Sequence, residues 1–142
     1  MKVRTELDNH REEIVIYTDN RDEAIIQLEG QIKSLFEPTF LQAKKNGETY
    51  RLQQNAIIRI YRYGRKLEVE TIGGNFERSS SLKEVEPLLG EDFIKISQSE
   101  IINRTYVKNV RVTRTGLVEL KLHEDTVAYS SRRYVAILKE RL

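Results

Sequence analysis

The chain contains no cysteine, so disulfide bonds, thiolate zinc sites and cysteine nucleophiles are all excluded. No apolar run approaches the roughly 20 residues that a membrane-spanning helix needs. The first ten residues, "MKVRTELDNH", also lack the apolar stretch of a secretory signal. Together these absences predict a cytoplasmic protein.

Signatures of catalysis and of cofactor binding are absent as well. The sequence has no phosphate-binding loop, no dinucleotide fingerprint and no nucleophile elbow. His10 and His123 are the only histidines, and they lie far apart. The run His123, Glu124 and Asp125 fits either a metal site or a solvated turn. We therefore predict a protein that is not an enzyme, with no cofactor and no metal.

The composition is that of a globular protein with an uneven distribution of charge. The chain has 142 residues, of which 39% are hydrophobic and 32% charged, enough for one domain and a small appendage. Residues 1–40 hold five Lys and Arg against nine Asp and Glu, a net charge of −4. Residues 41–142 hold nineteen against thirteen, a net charge of +6. This division indicates either a nucleic-acid or other anionic partner, or an ordinary solvated surface.

Residues 1–40 read as two short strands followed by a helix. The strands are predicted at "KVRTEL" and "EEIVIY", which are rich in β-forming residues. The helix is predicted to be capped by Asp19 or Asn20, to carry Lys33 in its last turn and to end at Pro38. Its apolar positions keep helical spacing and are Ile25, Leu28, Ile32 and Leu35.

Residues 41–142 read as β-hairpins interrupted by two short helices. Hairpin turns are predicted at "KNG", at "GRK" and at Thr115-Gly116. A capping box of Ser81 and Glu84 begins one helix, which Pro87 shortens or kinks. The other helix is "RRYVAILKERL", capped by Ser130 or Ser131. The predicted fold is mainly β, antiparallel, with short helices.

The basic residues of this part are the strongest candidates for binding. Arg132 and Arg133 occupy the first turn of a predicted helix, where the macrodipole disfavours cations. Either a nearby carboxylate such as that of Glu84 or Glu86 compensates them, or a phosphate or guanine edge does. Other basic residues are predicted around a hairpin turn or along one strand, and these are Arg62, Arg65 and Lys66, and Lys108, Arg111 and Arg114.

Gln98 lies in the polar run "SQSE" between two apolar segments. A glutamine amide matches the major-groove edge of adenine, so Gln98 is a candidate base reader. Small polar residues also form ordinary turns, and the run fits a capping box. The residues alone leave both interpretations open.

Residues 41–142 resemble a LytTR (LytR/AlgR-type) DNA-binding domain. The likeness rests on "GETYRLQQNAIIRIYRYGRKLEVETIGGNF", on "SSLKEVEPLLGEDFIKISQSEIINRTYVKNV" and on "YSSRRYVAILKERL", in the order that the family has. It implies an antiparallel β fold whose loops, rather than a recognition helix, enter successive major grooves of DNA.

The resemblance also implies site residues, taken over by motif. The base-reading positions fall on Arg65, Gln98 and Arg133, although better-known family members carry His and Asn in place of the first two. Phosphate-contacting or positioning roles fall on Lys66, Ser99, Asn103, Arg104 and Arg132. Asn103 fits a buried turn-forming residue equally well.

The implied protein is a sequence-specific transcriptional regulator without a receiver domain. Residues 1–40 would then be an acidic strand–strand–helix extension for dimerisation or regulation, and residues 41–142 the DNA-binding domain. The implied partners are double-stranded DNA with promoter repeats, a second copy of the chain, and a small membrane regulatory protein. The alternative function is a protein-interaction module of a signalling complex with no direct role at DNA.

Overall fold

The computed structural model describes residues 3–10, 13–36 and 39–142, and the chain divides into two compact units. The first unit comprises Met1–Glu37 and the second Pro38–Leu142. None of the helices among the described residues is long and apolar enough to cross a membrane.

The first unit contains one helix, α1, at Glu23–Phe36. The Asp22 carboxylate caps it by accepting a hydrogen bond from the backbone N–H of Ile25 at 3.0 Å. The predicted cap at Asp19 or Asn20 is therefore wrong, because a capping side chain reaches the N–H two or three residues ahead. Lys33 lies in the last turn as predicted. Pro38, the predicted terminator, lies outside the described residues.

The two strands predicted before this helix are not formed in the described residues. Residues 3–7 and 13–17 have no regular secondary structure, and Val3 and Leu7 are 93% and 96% exposed. A lone pair of strands is marginal in water, since its apolar side chains need another layer to pack against. The described extension is thus a helix preceded by irregular chain.

The second unit consists of two antiparallel sheets and two short α-helices, which confirms the predicted mainly β fold. The seven-stranded sheet has the order β2-β1-β5-β4-β3-β7-β6, and the three-stranded sheet has the order β10-β9-β8. The strands β1 to β10 are Phe40–Lys45, Glu48–Gln53, Ile57–Tyr63, Lys66–Thr71, Gly74–Arg78, Phe93–Ser97, Glu100–Asn103, Asn109–Val112, Val118–Lys121 and Val127–Ser130.

Two of the hairpin turns are set by glycine in a left-handed conformation. Asn46 and Gly47 join β1 to β2 with φ of 52° and 80°, as a type I′ turn requires. Gly64 and Arg65 join β3 to β4, and Gly64 has φ of 64°. A positive φ at the first of two turn residues is typical of type II′, which leaves Arg65 at an ordinary backbone angle.

The strands β3, β6 and β7 are buried on both faces and separate two apolar clusters. This explains why their sequences are nearly continuous apolar runs rather than alternating ones. One cluster lies against β1, β4 and α2 and contains Leu41, Ala43, Ile57, Ile60, Leu67, Val69, Leu82, Val85, Phe93 and Ile101. The other lies against the three-stranded sheet and the last helix and contains Ile58, Ile94, Ile96, Ile102, Val118, Leu120, Leu122, Ala128 and Leu138.

The two short helices agree with the sequence prediction in place but differ in detail. Helix α2, Leu82–Val85, begins with the predicted capping box, since Ser81 Oγ accepts from the Glu84 N–H at 3.1 Å. Pro87 lies in the 3₁₀ turn that follows, so the helix is short. Helix α3, Val135–Arg141, is preceded by a 3₁₀ turn at Arg132–Tyr134, and no serine side chain caps it.

Candidate nucleic-acid interface

Two turns that carry predicted site residues lie side by side at one end of the seven-stranded sheet. Strands β3 and β7 are antiparallel neighbours with Tyr61 opposite Glu100. The backbone N–H of Arg62 donates to the Ser99 carbonyl oxygen at 2.9 Å. The β3–β4 turn with Arg65 and the β6–β7 turn with Gln98 therefore lie next to each other at the same end of the strands.

The segment that leads to Arg133 is attached to the same region. The backbone N–H of Ser131 donates to the carbonyl oxygen of Ile96, two residues before Gln98, at 2.9 Å. The N–H of Tyr134 then donates to the Ser131 carbonyl at 3.0 Å and closes the 3₁₀ turn that holds Arg133. The three predicted base-reading positions, distant in sequence, are thus carried by connected segments.

The side chains at these three positions are exposed and unengaged. Within residues 3–10, 13–36 and 39–142, Arg65, Gln98 and Arg133 make no side-chain hydrogen bond and no ion pair. An arginine carries five N–H donors, and a glutamine amide carries two donors and an acceptor. The full hydrogen-bonding capacity of all three is available to a ligand.

Ser99 restrains the turn beside Gln98. Its backbone N–H donates to Ser97 Oγ at 3.2 Å, and the two hydroxyl oxygens lie 3.3 Å apart. Strand β7 begins at the next residue, so no helix follows for a capping box to start. The polar run "SQSE" is therefore a turn held by its two serines, with the amide side chain of Gln98 projecting between them.

A partly buried charge network supports this turn, and the sequence analysis did not find it. Arg59 Nε lies 2.7 Å from Glu70 Oε2, and Arg59 Nη1 lies 3.2 Å from Glu100 Oε2. Burial raises the pKa of the Glu100 carboxyl, and the nearby Arg59 guanidinium only partly offsets it. Thr126 Oγ1 adds a hydrogen bond to Glu70 at 3.1 Å. The sequence did hold a signal for this network, namely the charged Arg59 between two apolar isoleucines in "IIRIY". Its acidic partners lie on the two neighbouring strands.

Asn103 and Arg104 both make hydrogen bonds within the protein. Asn103 is only 2% exposed; its amide donates to the Ile57 carbonyl at 2.9 Å and its Oδ1 accepts from the N–H and hydroxyl of Thr105. Arg104 donates to Asp92 Oδ1 at 3.0 Å and to the Arg141 carbonyl at 3.1 Å. Both lie at the far end of the β6–β7 hairpin, roughly 15 Å from Gln98 along the strand. Neither side chain lies beside Gln98.

Arg132 and Arg133, although adjacent, have different environments. Arg132 donates to the Thr115 carbonyl oxygen from Nη2 at 2.7 Å and from Nε at 3.2 Å. Its compensating partner is thus a carbonyl, not the carboxylate of Glu84 or Glu86 that the sequence left open. This contact attaches the β8–β9 turn, with exposed Arg114, to the Arg133 segment.

The remaining basic positions are partly engaged. Lys66 pairs with Glu77 at 3.1 Å, with both side chains 56% exposed. Arg111 pairs with Glu119 at 2.6 Å, and this hydrogen bond raises the pKa of Arg111. Strand β8 contains Arg111 alone of the three basic residues predicted along it, because it ends at Val112 and starts at Asn109. Lys108 and Arg114 therefore lie outside the strand.

The histidine-containing segment forms a tight turn. Glu124 and Asp125 have φ of 50° and 61°, and the Glu124 side chain is 85% exposed. His123 Nε2 lies 3.6 Å from the Glu124 carboxylate. No group of three or more His, Cys, Asp or Glu that would hold a metal occurs in the part of the chain that the structure describes.

Comparison with known proteins identifies the family of the second unit. The family model of the LytTr DNA-binding domain matches residues 47–142. The chain belongs to this family. The fold agrees, since a solved LytTr DNA-binding domain from Bacillus cereus superposes with a TM-score of 0.68 over 73% of this chain and 96% of that one, at 17% sequence identity.

Curated relatives come from Staphylococcus aureus and are named uncharacterised HTH-type transcriptional regulators. The protein of strain NCTC 8325 / PS 47 is 39% identical over 72 residues, which is 51% of this chain and 49% of the relative. The protein of the bovine strain RF122 / ET3-1 is 39% identical over 67 residues, 47% of this chain and 46% of the relative. The LytTr chain described here thus matches about half the length of these relatives.

Proposed function

We propose that this LytTr protein is a sequence-specific transcriptional regulator that reads DNA bases with Arg65, Gln98 and Arg133. The observation that carries the proposal is the placement of three free polar side chains on connected turns, above a backbone that hydrogen bonds hold in place. Free donors on a rigid base suit base recognition, because little conformational freedom is lost when they bind.

The chemistry of the three side chains suggests what each reads. An arginine can donate two parallel hydrogen bonds to O6 and N7 of guanine, and a glutamine can pair with N6 and N7 of adenine. Each such pair contributes about 1–3 kcal/mol of discrimination. We therefore expect Arg65 and Arg133 to prefer guanine and Gln98 to prefer adenine in the major groove.

The readers lie on turns rather than on a recognition helix. In the described DNA-binding unit, α2 is a four-residue helix beside the β1–β4 core, and α3 is a seven-residue helix that buries Leu138. No two α-helices of that unit follow one another across a short turn, as a helix-turn-helix requires. Loop reading is the mode that this geometry favours.

Basic residues around the three readers would supply phosphate contacts. Arg114 is exposed on the β8–β9 turn, which Arg132 holds against the Arg133 segment. Lys66 follows Arg65, and the Ser99 hydroxyl is exposed beside Gln98. Neutralising phosphates releases counterions, so the logarithm of the affinity falls by about 0.9 per contacted phosphate for each decade of salt.

The test begins by selecting bound fragments from random DNA and measuring affinity by mobility shift. Arg133→Ala is expected to cost about 1–3 kcal/mol on the selected site and to relax the preference at one base position. Arg51→Ala is the matched control, because it removes the same charge from β2. Strand β2 lies four strands from β3 in the sheet order, which places the two strands about 20 Å apart.

Three results would count against the proposal. If Arg133→Ala weakened binding equally on all sequences, this arginine would contact only phosphate. If Arg51→Ala produced the same loss, the effect would be one of net charge. If the wild-type protein selected no sequence even at low ionic strength, DNA reading itself would be refuted.

A further inference from the structure

A cleft with a volume of about 380 Å³ lies between α3 and the chain that follows the 3₁₀ turn after α2, against β6 and β7. Its apolar lining consists of Leu89, Phe93, Ile101 and Ile137. Phe93 and Ile101 are buried and form its floor, whereas Ile137 is 45% exposed at its rim. Pockets that hold small molecules typically measure about 300–1,000 Å³ and are mostly apolar. The cleft is therefore large enough for a small organic ligand.

Lys95 also lines this cleft, at a position where its cross-strand neighbours are apolar. It lies opposite Ile101 of β7, and the same row continues through Ile60 of β3 and Val69 of β4. These three neighbours are at most 1% exposed. A lysine at the end of a buried row packs its alkyl stem against the apolar side chains and needs a favourable place for its charge. The ammonium group lies 5.9 Å from the centroid of the Tyr134 ring.

The positive charge of Lys95 has no anionic partner within the protein. In the described parts of the chain, this half-buried side chain makes no hydrogen bond and no ion pair. A lysine on an edge strand can serve to prevent pairing with another sheet. Strand β6 is at the end of the sheet order, but its edge is already in use, because the N–H of Ser131 donates to the Ile96 carbonyl oxygen at 2.9 Å. The ammonium group is thus available to an anionic ligand.

The other charged groups of the cleft favour a ligand with a single negative charge. Arg141 is half-buried and donates from Nη2 to the backbone carbonyl oxygen of Glu91, a neutral partner, at 2.6 Å. The exposed side chains of Glu86 and Glu91 complete the lining. Two cations and two carboxylates cancel, so the cleft lacks the excess of positive charge that attracts a polyanion. The rings of Phe93 and Tyr134 suit a flat apolar body.

We propose that this cleft binds a small aromatic monocarboxylate, whose carboxylate pairs with Lys95 and whose ring packs on the apolar floor. The site adjoins the DNA-reading region at two points. Tyr134 belongs to the 3₁₀ turn that also holds Arg133, and β6 leads from Lys95 to the turn with Gln98. The inference rests on the proposed function in one respect, namely that a ligand held against both segments changes the affinity for DNA.

The test titrates the full chain with hydrocinnamate and follows the backbone amides by two-dimensional NMR. Hydrocinnamamide keeps the ring and the chain length of this probe but lacks its charge. Lys95→Met removes the ammonium group and retains most of the alkyl stem. Lys139→Met is the matched control, because Lys139 is an exposed lysine of α3 that does not line the cleft. Ile137→Glu places a carboxylate at the exposed rim, where the fold tolerates it and an anionic ligand is repelled.

We expect the wild type to bind hydrocinnamate with a dissociation constant of roughly 1 mM, with amide shifts confined to residues 86–101 and 134–141. Lys95→Met, Ile137→Glu and the neutral amide should each weaken binding about tenfold or more, whereas Lys139→Met should bind like the wild type. The proposal is overturned if the wild type shows no saturable shifts up to about 10 mM or if the shifts lie elsewhere. Equal binding by Lys95→Met and Lys139→Met would also overturn it.

A mobility shift with and without hydrocinnamate tests the consequence for DNA. The probe should change the affinity of the wild type and of Lys139→Met severalfold and leave that of Lys95→Met unaltered. An unaltered wild-type affinity at saturating probe would refute the link between the cleft and the turn with Arg133. If none of the proteins binds DNA, the proposed function fails while the NMR titration still decides whether the cleft is a binding site.

Discussion

Replacing Asn103 with alanine tests whether this residue is part of the scaffold or part of the DNA contact. Its side chain makes three hydrogen bonds, to the Ile57 carbonyl and to the backbone and hydroxyl of Thr105, and it is 2% exposed. Each such bond contributes about 1 kcal/mol, and a buried carbonyl left without a partner costs about 1–3 kcal/mol. The expected loss of unfolding free energy is therefore about 3 kcal/mol.

Urea unfolding followed by circular dichroism measures this loss. With a slope of about 2 kcal/mol per molar, the midpoint should fall by roughly 1.5 M. Asn109→Ala is the control, because Asn109 is exposed on β8 and should change the midpoint little. DNA affinity measured well below the unfolding transition should be unchanged in Asn103→Ala. A normal midpoint with weakened DNA binding would refute the scaffold role.

Three further predictions concern the supporting geometry. Gly64→Ala should cost about 1 kcal/mol, because Gly64 has φ of 64°, and it should also weaken DNA binding measured by mobility shift; an unchanged affinity would show that this turn does not position a reader. Glu100→Gln should change the pH dependence of urea stability. In the folded wild type the pKa of Glu100 is raised, so above the unfolded value, about 4.3, the folded state retains the proton and stability falls as pH rises. Glu100→Gln should lack this fall in stability with rising pH. If the variant and the wild type showed the same dependence of stability on pH, the prediction would be wrong. Gly30→Ala should raise the helix content measured by circular dichroism, since a Cβ at this position meets no atom within 4 Å; a lowered helix content would argue against it.

The sequence was most informative where local rules decide the structure. The turns at Asn46-Gly47 and Gly64-Arg65 follow from residues that tolerate positive φ, and the capping box at Ser81 follows from side-chain chemistry within three residues. Helix α1 followed from the spacing of its apolar positions. These features depend on neighbours in the chain, so the pattern of residues predicted them.

The errors arose where packing overrides local preference. Residues 3–7 and 13–17 have β-forming composition but no strand in the described chain, because strand formation needs a neighbour that composition does not supply. A carboxylate of Glu84 or Glu86 was one of two interpretations for Arg132, and within the protein Arg132 instead donates to the carbonyl of Thr115, seventeen residues earlier. No periodicity encodes such a contact.

Taken alone, the sequence determined the hairpins, the short helices and, through its motifs, the resemblance to LytTr domains. Only the tertiary structure decided which polar residues are free. Asn103 and Gln98 are both amides in one β-hairpin, yet the first is enclosed between β3 and a 3₁₀ turn and the second projects from the turn between two serines. The physical reason is that exposure and hydrogen-bond partners depend on strand pairing across long sequence distances, as in the contact of Arg62 with Ser99.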